Sequence, residues 1–399
     1  MRNREIHSQK QVIGAGLAIV ASTYGLSRYV IGLFIPDIKA TFGLSVELMG
    51  AIASCSYVGY LLATVIASIY SFKFGPRYLI IAGGVCAFVG LMLVSLTTNI
   101  WLLILGITIA GMSPGLSYPP LSDAIVLMLK QSDRDFAYTV INSGTSIGVI
   151  ISAPLAILAG ENWREAWFFF SIIAIVSTVW NAAIMTRRKL KTTSNKSFNI
   201  SFSWIFNKDS HELFIYSFFL GIVTSVYWTF SVEYIVTQSS DIYVMNWQIS
   251  NVLFSKFFWS CVGISGLFGG FASFFVKKFG LRKMTQTGML LICLSIILLT
   301  IFYDNWFFLL FSSLIFGSVF ISTTAFIGIW SIHVFYMRPA VGFGLSFFLL
   351  TLGQLVGSVL FGIIAGAYGM DSIFYIATLI GIICSFVRAN EEIYSMTPL

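Results

Sequence analysis

The chain has 399 residues, of which 57% are hydrophobic and 10% charged, with a formal net charge of +7. Soluble domains carry about 25% charged residues. The composition therefore excludes an ordinary water-soluble enzyme or binding domain and points to a membrane protein.

A continuous apolar stretch of about 20 residues spans a bilayer as a helix. Twelve are predicted, at 11–34, 46–72, 78–97, 101–129, 137–159, 167–186, 213–237, 249–276, 284–303, 306–335, 342–367 and 372–388. The runs are continuous, not alternating segments of about ten residues, so an all-α membrane protein is expected and not a barrel. The first helix is preceded by the basic "MRNREIHSQK", which has no small-residue cleavage site and reads as a cytoplasmic start, not a removable signal. Within it, "YGLSRYVIGLFIP" carries Tyr24, Arg28 and Tyr29, and Pro36 is expected to mark the outer end.

Helix 2 runs into a short basic loop, "SFKFGPRYL", with Lys73, Gly75 and Arg77. Helix 4 contains Tyr118 and "YPPLSD", where two adjacent prolines are expected to break or bend the helix just before Asp123. Helix 5 carries Asn142 and Gly144-x-x-x-Gly148, and helix 11 carries "GQLVG" with Gln354. Small residues four apart let helix backbones approach closely. They read either as packing or, in a rocking transporter, as moving seams. Helix 7, "VYWTFSVEYIVTQ", holds Trp228, Glu233 and Tyr234, and helix 8 holds Lys256 near its start.

The five cysteines (Cys55, Cys86, Cys261, Cys293, Cys384) lie inside apolar segments without paired spacing and read as core residues. His7, His211 and His333 are scattered, with no ligand spacing. No metal, cofactor, P-loop or catalytic constellation is expected, hence no enzyme. With the N-terminus inside, 19 of the 23 Lys and Arg fall on the cytoplasmic side, among them Arg187, Arg188, Lys189, Lys191 and Arg338. Lys39 and Arg164 fall outside, and Arg28 and Lys256 lie within helices. That asymmetry is the positive-inside rule, so the basic charge reports topology and not a nucleic-acid partner.

The longest hydrophilic stretch, 187–212, separates an N-terminal six-helix bundle (1–186) from a C-terminal one (213–399). The halves are internal repeats. A shift of 205 places Lys73, Gly75 and Arg77 on Lys278, Gly280 and Arg282, Trp101 on Trp306, and Gly148 on Gly353. A 6+6 arrangement with a basic, glycine-containing loop after helices 2 and 8 resembles the major facilitator superfamily over essentially the whole chain. That family's loop reads G-x-x-x-D-[RK]-x-G-[RK]-[RK]; here Ser68 and Phe72 stand for its first Gly and its Asp, as do Ser273 and Lys277 in the second copy. The helix-4 arginine is replaced by Ile107, and the G-P signature of drug–proton antiporters on helix 5 is absent. The helix-1 stretch G-L-S-R-Y is similar to a bacterial branch with G-x-[GS]-R-[FY]. The resemblance implies two pseudo-symmetric bundles, secondary transport by alternating access and the loop residues as a cytoplasmic gate.

An ionisable side chain at membrane depth costs about 2.5–3.5 kcal/mol on insertion scales, so Arg28, Asp123, Glu233 and Lys256 are functional candidates. The 205-residue shift carries Arg28–Tyr29 onto Glu233–Tyr234, which suggests opposite charges at equivalent sites. Arg offers a planar fork of donors that matches carboxylate or phosphate. Arg28 is therefore read as the anion-binding group, with Glu233 taking up the coupling proton. Tyr24, Tyr29, Tyr118, Trp228 and Tyr234 are candidates for an aromatic lining, and Asn142, Gln354 and Lys256 for further contacts. Asp123 is read as a latch to Arg77 or as a second proton site.

The expected activity is proton-coupled movement of a small organic anion by a monomer in the bacterial inner membrane, both termini cytoplasmic. Efflux of hydrophobic drugs and a non-transporting sensor are the alternatives.

Overall fold

The computed structural model describes residues 8–187, 208–238, 242–244, 247–335 and 339–389. The basic residues Arg188, Lys189, Lys191 and Arg338, and most of the central hydrophilic stretch, lie outside these. The helices are α1 (Gln9–Phe42), α2 (Val46–Phe74), α3 (Pro76–Leu96), α4 (Ile100–Met128), α5 (Gln131–Ala159) and α6 (Trp163–Ile184). After the central stretch come α7 (Lys208–Gln238), α8 (Asn251–Phe279), α9 (Leu281–Ile301), α10 (Trp306–Val334), α11 (Pro339–Tyr368) and α12 (Met370–Cys384). Eleven are long and apolar enough to cross a membrane, while α12 has 15 residues. A two-stranded antiparallel hairpin, β1 (Ile242–Val244) and β2 (Trp247–Ile249), links α7 to α8 and was not expected from the sequence.

Local chemistry explains where the helices start. Ser8 opens α1 with a capping box: its hydroxyl accepts from the Gln11 amide at 3.3 Å, and Gln11 Oε1 accepts from the Ser8 amide at 2.9 Å. Asn99 and Asn305 cap α4 and α10, accepting from Trp101 N at 2.8 Å and Phe307 N at 3.1 Å. Gly75 and Gly280, the glycines of the repeated basic loop, have φ of 84° and 86° at the starts of α3 and α9. Side chains other than glycine are essentially excluded from that region.

Two sequence expectations are corrected. Helix α1 does not stop at Pro36; it runs on as Ile31–Phe42 with Pro36 inside. Proline removes one backbone donor, a loss that membrane helices accommodate through neighbouring helices. Likewise α4 continues through Pro114, Pro119 and Pro120 without a break. The Ser122 hydroxyl donates to the Pro119 carbonyl at 2.6 Å and the Tyr138 hydroxyl to the Ser122 carbonyl at 3.1 Å, so side chains serve main-chain acceptors beside the proline pair.

The chain divides into two compact units, one of Met1–Val30 with Cys55–Lys196, the other of Ile31–Ser54 with Ser197–Leu399. In the first, Gly83 and Gly84 bring α3 against Ser113 of α4 and Thr178 of α6. Gly144 and Gly148 of α5 pack on the backbone of α1 at Leu17 and Ala21. In the second, Gly353 and Gly357 of α11 pack on α7 at Phe218 and Ile222. The two small-residue motifs are thus packing seams inside their own units. Large apolar side chains such as Trp101, Leu158 and Val176 are exposed, as lipid-facing surfaces require.

Candidate functional site

Arg28 lies in a π-helical stretch of α1, Ala21–Tyr29. Its wider turn is visible in the Ser27 hydroxyl, which donates to the carbonyl of Ser22, five residues back, at 2.7 Å. Stretches of this kind concentrate at functional sites. Gly25, within it, is pressed against Gly148 of α5. Every residue of the stretch is buried, Arg28 to 2% exposure.

Four tyrosines surround the guanidinium: its carbon lies 4.2 Å from the ring centre of Tyr60, 5.4 Å from Tyr29 and Tyr57, and 5.6 Å from Tyr24. A desolvated cation over an aromatic face is stabilised by about 2 kcal/mol or more. Tyr24 donates to the Tyr60 hydroxyl at 3.3 Å and meets Tyr118 edge-on at 5.5 Å. Tyr118 in turn donates to Asn142 Oδ1 at 3.2 Å. The structure therefore gathers Tyr24, Arg28, Tyr29, Tyr118 and Asn142 into one cluster of the first unit. Tyr57 and Tyr60 were missed by sequence reasoning, although their three-residue spacing on α2 puts both on one helix face.

The acid and the other cation lie in the second unit. Glu233 on α7, 3% exposed, accepts from Lys39 Nζ at 2.5 Å. The repeat suggested opposite charges at equivalent sites; the residue paired with Glu233 is Lys39, on the part of α1 that continues past Pro36. Lys39, expected on the outer side, has a side chain 28% exposed. Lys256 on α8 is buried. Removing one member of a buried ion pair costs about 3–5 kcal/mol, so this arrangement ties α1 to α7. A Cβ at Gly32 would run into the Trp228 carbonyl oxygen. That contact and Lys39–Glu233 advance in the same sense on both helices, which therefore run parallel.

Other candidates take different places. Trp228 sits in an aromatic core with Trp259, Phe316 and Phe320, at ring separations of 5.5, 5.4 and 5.2 Å. Tyr234 turns to α12, donating to Asp371 Oδ1 and packing on Phe374. It is not brought together with the partners of Glu233. Gln354 is fully buried on α11, where α11 meets Gly221 of α7. In the basic loops, Arg77 Nη1 donates to the Met185 carbonyl at 3.1 Å, a tie to the end of α6. Asp123 is half-buried on α4. Lys73 and Lys278 lie over Phe74 and Phe279 at 5.6 and 5.2 Å, and the Arg282 carbonyl accepts from Thr285 at 3.0 Å.

A family model described as the Major Facilitator Superfamily matches residues 17–271. Over 179 residues the chain is 24% identical to a probable sulfoacetate transporter, SauU, of Cupriavidus necator; the match spans 44% of this chain and 41% of that relative. Similar solved structures include a POT family transporter in complex with 5-aminolevulinic acid, with a TM-score of 0.75 over 94% of each chain. The nucleoside transporter NupG is another, at 0.75 over 97% of this chain and 100% of that one. Each is 14% identical, a likeness of fold.

Proposed function

This chain belongs to the Major Facilitator Superfamily, and on that premise we propose that it carries a small organic anion across the membrane, coupled to protons. The observation that carries this reading is the buried Arg28 guanidinium in its ring of tyrosines. Arg stays charged at every physiological pH, and its planar fork binds carboxylate, sulfonate or phosphate through paired hydrogen bonds. The hydroxyls of Tyr24, Tyr60 and Tyr118 and the amide of Asn142 supply neutral donors beside it, which set orientation. The partial match to a probable sulfoacetate transporter supports an anionic cargo.

Glu233 is the proposed proton carrier, with Asp123 as a second site. Charged groups at membrane depth mark proton relays and substrate paths. The lysine and arginine distribution supports an orientation with both termini cytoplasmic, which we propose is adopted in the bacterial inner membrane. The loop residues Lys73, Gly75, Arg77, Lys278, Gly280 and Arg282 serve the gate.

A thermal-shift series on the purified full chain tests the binding step, with sulfoacetate and simple carboxylates as probes. A ligand that binds only the folded protein raises its melting temperature. We expect a concentration-dependent rise with at least one of these anions, lost in Arg28→Ala. A rise that persists undiminished in that variant contradicts the assignment.

A further inference from the structure

We propose that the end of α8 and the start of α9 bind an anionic phospholipid. Lys277, Lys278, Arg282 and Lys283 hold its phosphodiester, and its acyl chains lie along the phenylalanines that precede them. The site belongs wholly to the second unit and needs no cargo, so it stands or falls apart from the reading of Arg28.

The internal repeat shows that this loop carries more charge than its position requires. At the shift of 205, Lys73 and Arg77 meet Lys278 and Arg282, whereas Phe72 and Tyr78 meet Lys277 and Lys283. The second copy thus has four cations where the first has two, and no Asp or Glu occurs between residues 251 and 303. The turn itself does not need the extra pair. Gly280 makes it with a φ of 86°, much as Gly75 does with 84° beside half the charge.

Among the described residues, none of the four cations takes part in an ion pair, and Lys277, Lys278 and Lys283 are exposed. Helix α8 closes with a 3-10 turn, Leu267–Phe271, and a last helical stretch, Ala272–Phe279. In that stretch Ala272 and Val276 are buried, while Phe274 is 57% exposed; Phe268 and Phe271, just before it, are 61% and 58% exposed. Lys278 Nζ lies 6.0 Å from the Phe274 ring and 5.2 Å from that of Phe279, so charge and apolar surface are contiguous. A fifth cation comes from the end of α12. Gln286 Nε2 donates to the Ser385 carbonyl at 3.1 Å, which brings the segment carrying the exposed Arg388 beside the start of α9.

Exposed phenylalanine by itself faces lipid tails anywhere on a membrane protein. This end differs in joining that surface to cations without counter-ions, the arrangement of side chains that sit at the boundary of headgroup and acyl chain. A cluster of four or more Lys and Arg at a helix end attracts anionic lipid, each cation by about fivefold in affinity. Lys meets a phosphate as a point charge and Arg as a planar fork. A zwitterionic lipid offers no net charge to such a cluster, and inorganic phosphate offers no chains to the phenylalanines.

The test is the melting temperature of the full chain in dodecylmaltoside micelles containing increasing phosphatidylglycerol, with phosphatidylcholine and inorganic phosphate as separate arms. A ligand of the folded form raises that temperature. The expected result is a saturable rise with phosphatidylglycerol alone. In Lys277→Phe/Lys283→Tyr, which installs the residues of the first copy, the half-maximal lipid fraction increases about twentyfold or the rise is lost. Lys277→Arg/Lys283→Arg keeps the wild-type value. An equal rise with phosphatidylcholine or inorganic phosphate, or an unchanged half-maximal fraction in the Phe/Tyr variant, overturns the proposal. If that variant does not fold, Lys283→Gln decides: weakening by about fivefold supports the site and an unchanged value refutes it.

Discussion

Among single residues, Tyr60 is the most informative, because its ring lies nearest the Arg28 guanidinium, at 4.2 Å. Tyr60→Phe keeps the aromatic face and loses the hydroxyl that accepts from Tyr24. Tyr60→Ala loses both. The cation–aromatic term in a desolvated site is about 2 kcal/mol and a typical hydrogen bond about 1 kcal/mol. Thermal unfolding should therefore rank wild type above Tyr60→Phe and Tyr60→Phe above Tyr60→Ala. Equal stability of the two variants would mean that the ring does not hold Arg28. Asn142→Ala should leave Arg28 in place and cost about 1 kcal/mol through the lost Tyr118 partner, readable in a denaturation curve. Much of this cluster was legible in the sequence, since a charged residue inside an apolar run is conspicuous. Its partners on α2 were not, because a tyrosine in a membrane helix is ordinary and only the fold shows which rings converge.

Helices were the best-read level, since continuous apolar runs have little alternative in a bilayer. What failed was the treatment of Pro36 as a terminator and of the Pro119–Pro120 pair as a break. Pro36 and the Pro119–Pro120 pair sit inside continuous helices, and the first of these errors hid Lys39. The π-helical stretch also left no mark in the sequence, for hydrophobic periodicity does not distinguish one widened turn among many. The repeated loop glycines, by contrast, were found by sequence and explained by structure. Gly75 and Gly280 have φ of 84° and 86° with extended ψ, a region costing other residues about 1–3 kcal/mol. Gly75→Ala and Gly280→Ala should each lower stability by that amount. Gly160→Ala, also at positive φ but outside the repeat, controls for a general sensitivity of such turns. If neither loop variant moves the melting temperature, the loops are not held in these conformations.

At the scale of the whole molecule, the repeat led to the expectation of two six-helix bundles with Arg28 and Glu233 at equivalent positions. It could not show that residues 31–54 pack with the second unit, because that depends on tertiary contacts such as Gly50 against Ser358 and Gly32 against Trp228. On the proposed function, Arg28 holds an anionic cargo while Glu233 binds the proton that accompanies it. Flux in proteoliposomes tests this most directly, with sulfoacetate and simple carboxylates as labelled cargo and an imposed pH difference as the drive. The account predicts anion movement that follows the pH difference in the wild type, is abolished in Arg28→Ala, and in Glu233→Gln becomes independent of that difference. PH-driven flux that survives unchanged in both variants would contradict it.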